Sequence, residues 1–485
     1  MSRTTPPAAP AFEHLPPRGT WSTGARSGFS VSLRTVTPVL GGGYRARAPD
    51  DVDLIRVPTV RGHLRFWWRA LVAGGFEDPV ALYQAETRLW GGAGGGPDQA
   101  HATRSLVVVD IEVTDRGSLD EGDIDPAQTP GAYVLFPARS ERPRGQETRK
   151  PIPRRSGVAF TLTITAPADD LAIVRDAVRA WILFGGYGGR TRRGLGGLTV
   201  TGPDAATWLP VPNRPLAAEL GRLFGRAVLA AGGPARQTPM LAGATLCAIG
   251  RVEGLGVTAW LTAVDALRQF RQGSPPNGAP VGGAAAAAPS AWARQPGSGQ
   301  EPQRPSISNW PEPDKIRHLA DRELGTGPYE HTPRHNDTPV WPRAGFGLPI
   351  VGRFQTRPRR GRGPRDYREP PAFTLTWRER GGPLRDRLAS PLIIKALPLV
   401  GDKFVAVALW LHRAWPAGEV VMKFRRDAVA GSAAPFDALV APGDTPRFAA
   451  LAGKSTLRSA FFDWLAQRRD VATVFPHRDG AGGAR

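Results

Sequence analysis

The stretch Gly185–Gly197, GGYGGRTRRGLGG, constrains this chain more than any other segment. Seven of its positions are glycine, and Arg190, Arg192 and Arg193 are set among them. Glycine takes positive φ without penalty and lets a backbone come close to another group. Arginine presents a forked set of donors that suits phosphate. Such a segment belongs in a connection. Before it, Asp169–Phe184 puts Leu171, Val174, Val178, Trp181 and Ile182 on one helical face; after it, Leu198–Thr201 reads as a strand. A loop that leaves a helix and enters a strand is not a dinucleotide fingerprint, which runs from strand to helix. It is not a P-loop either, because no Gly-Lys-Ser/Thr occurs. Two readings stand: a loop that brings backbone and guanidinium groups to a phosphate, or a glycine-rich connection with incidental charge.

The elements around this loop suggest the fold. Phe29–Val39 reads as a strand and Thr59–Ala73 as a loop running into a helix. In that helix Leu64, Trp67, Trp68, Leu71 and Val72 share a face. A second helix spans Pro79–Leu89 and ends at the run Gly91–Gly96. Arg104–Val113 and Gly157–Thr165 are strands, separated by a loop whose part Arg139–Arg155 is dense in Arg and Pro. The order is β-α-β-β-α-β, which predicts an α+β, ferredoxin-like unit over 28–205 after an N-terminal tail, 1–27. In 206–485, strands around Thr245–Val252, Phe373–Trp377, Leu392–Pro398 and Phe404–Leu411 and helices at Val257–Phe270 and Ser455–Gln467 allow a second such unit. It is interrupted by low-complexity stretches at about 273–308 and at Arg357–Arg368. The expected fold is thus two ferredoxin-like (RRM-like) βαββαβ domains with long loop insertions.

Charge enters next. Lys and Arg number 63 against 43 Asp and Glu, a net charge of +20. That favours a polyanionic partner, with nucleic acid ahead of membrane surface. Only six of the cations are lysine, and Ala, Gly and Pro abound, as in a GC-rich genome. Placement of arginine therefore counts for more than its number. In RGHLRFWWR, Arg61, Arg65 and Arg69 recur every fourth residue and form a stripe on the helix. With Gly62 and the helix start they could receive a phosphate; a solvated basic face is the competing reading. Trp67 and Trp68 suit the core better than a stacking platform, and Tyr187 is the stacking candidate. His331, His335 and Asp337 are a weak metal constellation, because Pro333 breaks the helix they would need. No metal or cofactor is expected. The lone Cys247 excludes an intrachain disulfide, and no long apolar run or signal core occurs, so a cytoplasmic protein is expected.

The segments TVTPVLGGG, VRGHLRFWWRAL, YQAETRLWGG and GGYGGRTRRGLGG, with NWPEPDKIRHL, WPRAGFGLPI and RLASPLIIKALPL later, resemble a known family. It is the family of CRISPR-associated RAMP proteins that form subunit one of the Cmr (type III-B) effector complex. The resemblance runs from about residue 29 to about 411 and implies a two-domain RRM-like protein. It would lie near the 3′ end of the guide RNA, beside the backbone subunit and the neighbouring end subunit, and engage guide and target RNA in antiviral defence without catalysis. Carried onto this chain, the RNA contacts would be Arg61, His63, Arg65, Arg69, Arg190, Arg192 and Arg193, with Gly62, Gly186, Tyr187, Gly188 and Gly189 beside them. Arg343 and Arg353 are weaker candidates. The alternative is a metal-independent RAMP endoribonuclease with His63 as general acid or base. No partner acid or base for His63 is apparent in the sequence.

Overall fold

The computed structural model describes residues 25–476 apart from 42, 44–49, 51, 94–101, 142–147, 231, 277–303, 306–307, 326, 328, 330, 355–368 and 426. Most of the N-terminal tail, most of the 273–308 stretch, all of Arg357–Arg368, part of the Gly91–Gly96 run and part of Arg139–Arg155 lie outside the described residues.

The first half begins with β1 (Arg26–Thr35), α1 (Val57–Val72) and α2 (Pro79–Trp90). It continues with β2 (Val108–Asp115), β3 (Ala159–Pro167), α3 (Leu171–Phe184) and β4 (Leu198–Thr201). These elements match the predicted ones to within a few residues. Local chemistry sets the ends. Asp78 caps α2 by accepting from the amides of Val80 (2.7 Å) and Ala81 (2.8 Å), Pro79 opens the helix, and Gly91 closes it at φ +76°. The four strands form an antiparallel sheet in the order β2-β3-β1-β4. Alternation sorts its faces: Val31, Leu33, Phe160, Leu162 and Ile164 point into the core. Ser30 and Thr163 meet on the opposite face, their hydroxyls 2.9 Å apart.

The second half repeats the plan. β5 (Met240–Glu253), α4 (Gly256–Arg271), β7 (Leu392–Leu399), β8 (Lys403–His412), α6 (Leu457–Ala466) and β10 (Val471–Phe475) contain a sheet of order β7-β8-β5-β10. Strand for strand, this is the order of the first sheet. Between α4 and α6 are inserted α5 (Glu312–Leu324), β6 (Phe373–Glu379) and β9 (Gly418–Lys423). β6 pairs with β9, and the insertion has its own apolar cluster around Trp341 and Trp377.

The two units stack. Along β7, Leu392, Ile394 and Ala396 belong to one core with α4 and α6, whereas Ile393, Leu397 and Leu399 join the core of α1 and α3. Along β8 the same split separates Phe404, Ala406 and Ala408 from Val405, Val407 and Leu409. The second sheet is therefore covered on both faces, which is why LIIKALPL is almost continuously apolar. The layers run sheet, helices, sheet, helices, with α1 and α3 between the two sheets. Among the described residues no helix is long and apolar enough to cross a membrane.

Candidate nucleic-acid interface at the seam

The glycine loop lies where the two units meet. It is anchored to the segment after β1. The Gly189 amide donates to Leu40 O (2.7 Å), that of Gly196 to Pro38 O (2.9 Å), and that of Gly197 to Thr37 Oγ1 (2.7 Å). Tyr187 N donates to Gly196 O (2.9 Å), and the Trp181 indole donates to Gly186 O (2.9 Å). Gly188 lies against Val39 and Leu40. Two positions require glycine. Gly196 has φ +62°, and a Cβ there would sit 1.9 Å from Tyr187 O. Gly194 has φ +79°, and a Cβ would meet Trp260 Cδ1 at 2.5 Å and Ile394 O at 2.8 Å. The close approach made possible by glycine is thus to protein, within the loop and across to the second unit. The expectation of an approach to a ligand backbone is corrected at these positions.

Tyr187 is corrected too. It is 0% exposed, and its hydroxyl accepts from Arg56 N (2.9 Å), so its ring has no open face for a base. Trp67 and Trp68 are buried as expected. In the arginine stripe, Arg65 Nε lies 2.7 Å and Arg69 Nη1 2.5 Å from the same oxygen of Glu86, a buried carboxylate on α2. Arg61 is half-buried, and its Nε has no hydrogen-bond partner among the described residues. Gly62 lies inside α1, so its amide belongs to the helix ladder and is not a free donor at the helix start. His63 packs beside Trp181 (6.1 Å) and Tyr187 (6.2 Å), and its Nε2 has no hydrogen-bond partner among the described residues. Burial pushes its pKa down to about 4, so the imidazole is neutral at neutral pH.

The loop arginines reach across the seam. Arg190, a non-glycine residue at φ +59°, donates from Nη1 to Val134 O (3.0 Å) and stays exposed. Arg192 donates to Ser390 O (2.8 Å) and lies over the Phe66 ring. Arg193 donates to Leu392 O (3.1 Å) and Phe346 O (3.0 Å), while its own carbonyl accepts from the Trp260 indole (2.8 Å). Two further arginines, Arg271 at the end of α4 and Arg413 after β8, complete a row. Burial first, then Arg413, lowers Arg192 to about 10; burial first, then Arg271, lowers Arg193 to about 9. Burial also lowers Arg190, with Arg271 next, and lowers Arg413. None of the five is ion-paired with a carboxylate among the described residues. Arg271, one turn after Arg268, and Arg413, after the end of β8, lie far in sequence from the glycine loop and carry no local signal of a site. Only the fold brings them to the loop.

The remaining candidates lie elsewhere. Arg343 pairs with buried Glu312 (3.2 Å), and Arg353 is exposed beyond the short strand Ile350–Gly352. His331 and His335 do not share a carboxylate. The first bonds Glu369 (2.5 Å) and the second Asp314 (2.8 Å), while Asp337 is exposed. Arg317 joins Asp314 (3.1 Å) to Glu369 (2.8 Å), and fully buried Lys315 pairs with Asp444 (2.6 Å). The WPEPDKIRHL segment thus builds an ionic network that fastens the insertion. Among the described residues no three His, Cys, Asp or Glu side chains are grouped to hold a metal ion.

Compared with known proteins, residues 32–199 match the model of the RAMP superfamily. No curated protein matches the chain. Among solved structures it is similar to Cmr1 from Pyrococcus furiosus in its apo form, with TM-score 0.43 and 14% identity over 93% of this chain and 99% of that one. It is similar to a chain of the type III-B Cmr-beta complex bound to cognate target RNA and AMPPnP, with TM-score 0.28 and 16% identity over 40% and 62%. Cmr6 from Pyrococcus furiosus matches with TM-score 0.18 and 13% identity over 36% and 99%.

Proposed function

From the premise that residues 32–199 of this chain are a RAMP-superfamily domain, we propose that the protein is a noncatalytic RNA-binding subunit of a type III-B CRISPR effector complex. Its strand order, two interleaved split βαβ units in each half, supports reading both sheets as ferredoxin-like. The motif resemblance to subunit one of the Cmr complex supports guide RNA, target RNA and neighbouring RAMP subunits as partners, and the cytoplasm as its place. One observation carries RNA binding: Arg190, Arg192, Arg193, Arg271 and Arg413 adjoin one another with no carboxylate partner among the described residues. Cations partly withdrawn from water repel one another unless an anion offsets the cost, and a single-stranded phosphate backbone offers repeated anions at close spacing. The outer face of the first sheet suits RNA less well. It carries Ser30, Ser32 and Thr163 with Asp110 and Glu112 toward the β2 edge, and no aromatic platform.

The test is salt-dependent binding of single-stranded RNA by the full chain. Arg190→Ala with Arg271→Ala should weaken binding and reduce the slope of log K against log salt by about 0.7 for each phosphate no longer neutralised. An unchanged slope overturns the reading. Arg193→Ala is a poorer probe, since it also strips hydrogen bonds from Phe346 O and Leu392 O.

An endoribonuclease centred on His63 is the second reading, favoured by an Nε2 with no hydrogen-bond partner among the described residues. The low pKa makes His63 a weak base at neutral pH. Cleavage of guide precursor or target that vanishes in His63→Ala, with or without Mg²⁺, would establish it over the noncatalytic role.

A further inference from the structure

Beyond the seam, a cavity of about 800 Å³ opens at one end of the second sheet. It falls within the roughly 300–1,000 Å³ span of small-molecule sites. Its wall includes Leu229, Trp410, Trp415 and Phe475, and its polar groups include His412, Arg413, Asp437 and Arg458. Arg413 is also the last member of the arginine row, so the row runs into the cavity.

The polar groups are fixed. Arg458 donates from Nε to Thr245 Oγ1 (2.8 Å) and from Nη2 to Gly243 O (2.8 Å). His412 has Nε2 3.2 Å from Gly233 O and Nδ1 3.4 Å from Arg458 Nη1. Burial lowers its pKa, and these two contacts set Nε2 as donor and Nδ1 as acceptor. Arg413 donates to Ala389 O (3.2 Å) and lies by the Trp415 ring, whose other neighbour is Phe436 at 5.3 Å and 11°. Asp437 accepts from the Trp415 indole, and burial pushes its carboxyl up. Cations toward one side, an apolar wall that includes the half-buried Phe475 ring and a single carboxylate acceptor are what phosphate, base face and base amino group require in turn.

We propose that this cavity receives one unstacked nucleotide unit of the RNA strand that the arginine row carries. This rests on the RNA-binding reading above and adds a second, base-contacting site to it. A base bearing an amino group is preferred, because Asp437 accepts and does not donate while ionised.

The experiment uses the full chain and short single-stranded RNAs with photoreactive 6-thioguanosine at each position in turn. Crosslinked peptides are mapped by mass spectrometry. The expected result is crosslinking to 229–230, 232–235 or 410–415 from one strand position, reduced about ten-fold in Ala230→Trp. That change adds bulk at the exposed cavity rim and leaves the arginine row intact. Crosslinks confined to 186–193 and 271 would overturn the cavity proposal while leaving the RNA-binding reading standing. Absence of RNA binding would overturn both. Occupation by free GMP, with no crosslink from any RNA, would also overturn the proposal by making the cavity a site for free nucleotide.

Discussion

Lys395 rises from the middle of β7, fully buried, and donates to Ile182 O (2.8 Å) and Gly185 O (2.9 Å) at the end of α3. A cation suits a helix C-terminus, yet burial lowers its pKa to about 7. The folded state therefore releases this proton at lower pH than the unfolded chain. Between pH 7 and about 10 the unfolded state binds more protons, so stability rises with pH by up to about 1.4 kcal/mol per unit from this group. Denaturant unfolding at pH 7 and 9 should show that gain in the native chain and a smaller one in Lys395→Met. Equal gains would mean that the site is solvated. At Tyr187, Phe removes the hydroxyl that accepts from Arg56 N and should cost about 1 kcal/mol. Denaturant unfolding measures it, and an unchanged stability would mean that this contact is dispensable. Neither environment was legible in the sequence. Lys395 interrupts an apolar run without indicating which neighbour receives its charge, and Tyr187 among glycines looks exposed until the loop folds back onto it.

The glycine loop and the α1–α2 pair show how far periodicity carries. Helix and strand limits were readable because apolar spacing and Gly or Pro punctuation are local. The loop's position between helix and strand was readable for the same reason. Its partners were not, because Thr37, Trp260 and Ile394 are distant in sequence. Gly196→Ala should disrupt the fold, since both φ and the close approach to Tyr187 O forbid a side chain; disappearance of the cooperative unfolding transition would report it. In the arginine stripe the four-residue spacing was correct, but the binding partner of Arg65 and Arg69 is Glu86, within the tract YQAETRLWGG. Glu86→Gln should destabilise by about 1–3 kcal/mol by leaving a buried acceptor mismatched to two guanidinium groups. Thermal unfolding measures it, and no change would mean that the pair is dispensable.

At the scale of the molecule, the halves are not independent domains joined by a linker. The second sheet covers the helical layer of the first, and the loop arginines and Lys395 bridge the same seam. A fragment ending at residue 205 exposes the α1 and α3 surfaces that Ile393, Leu397, Val405 and Val407 otherwise cover. It should aggregate alone and recover on co-expression with 206–485, as read by size-exclusion chromatography. A soluble monomeric fragment would refute this. Repetition of the strand order was within reach of the sequence; the stacking was not, because it depends on which face of each strand meets which layer.

The shared helical layer also bears on mutational tolerance. Residues of α1 and α3 such as Trp67 and Ile182 must satisfy two sheets at once, whereas residues of α4 and α6 meet only one. A volume change in the shared layer perturbs both halves and has to be compensated in both. Across a lineage these two helices should drift slowly, and their substitutions should occur in concert with changes in each sheet.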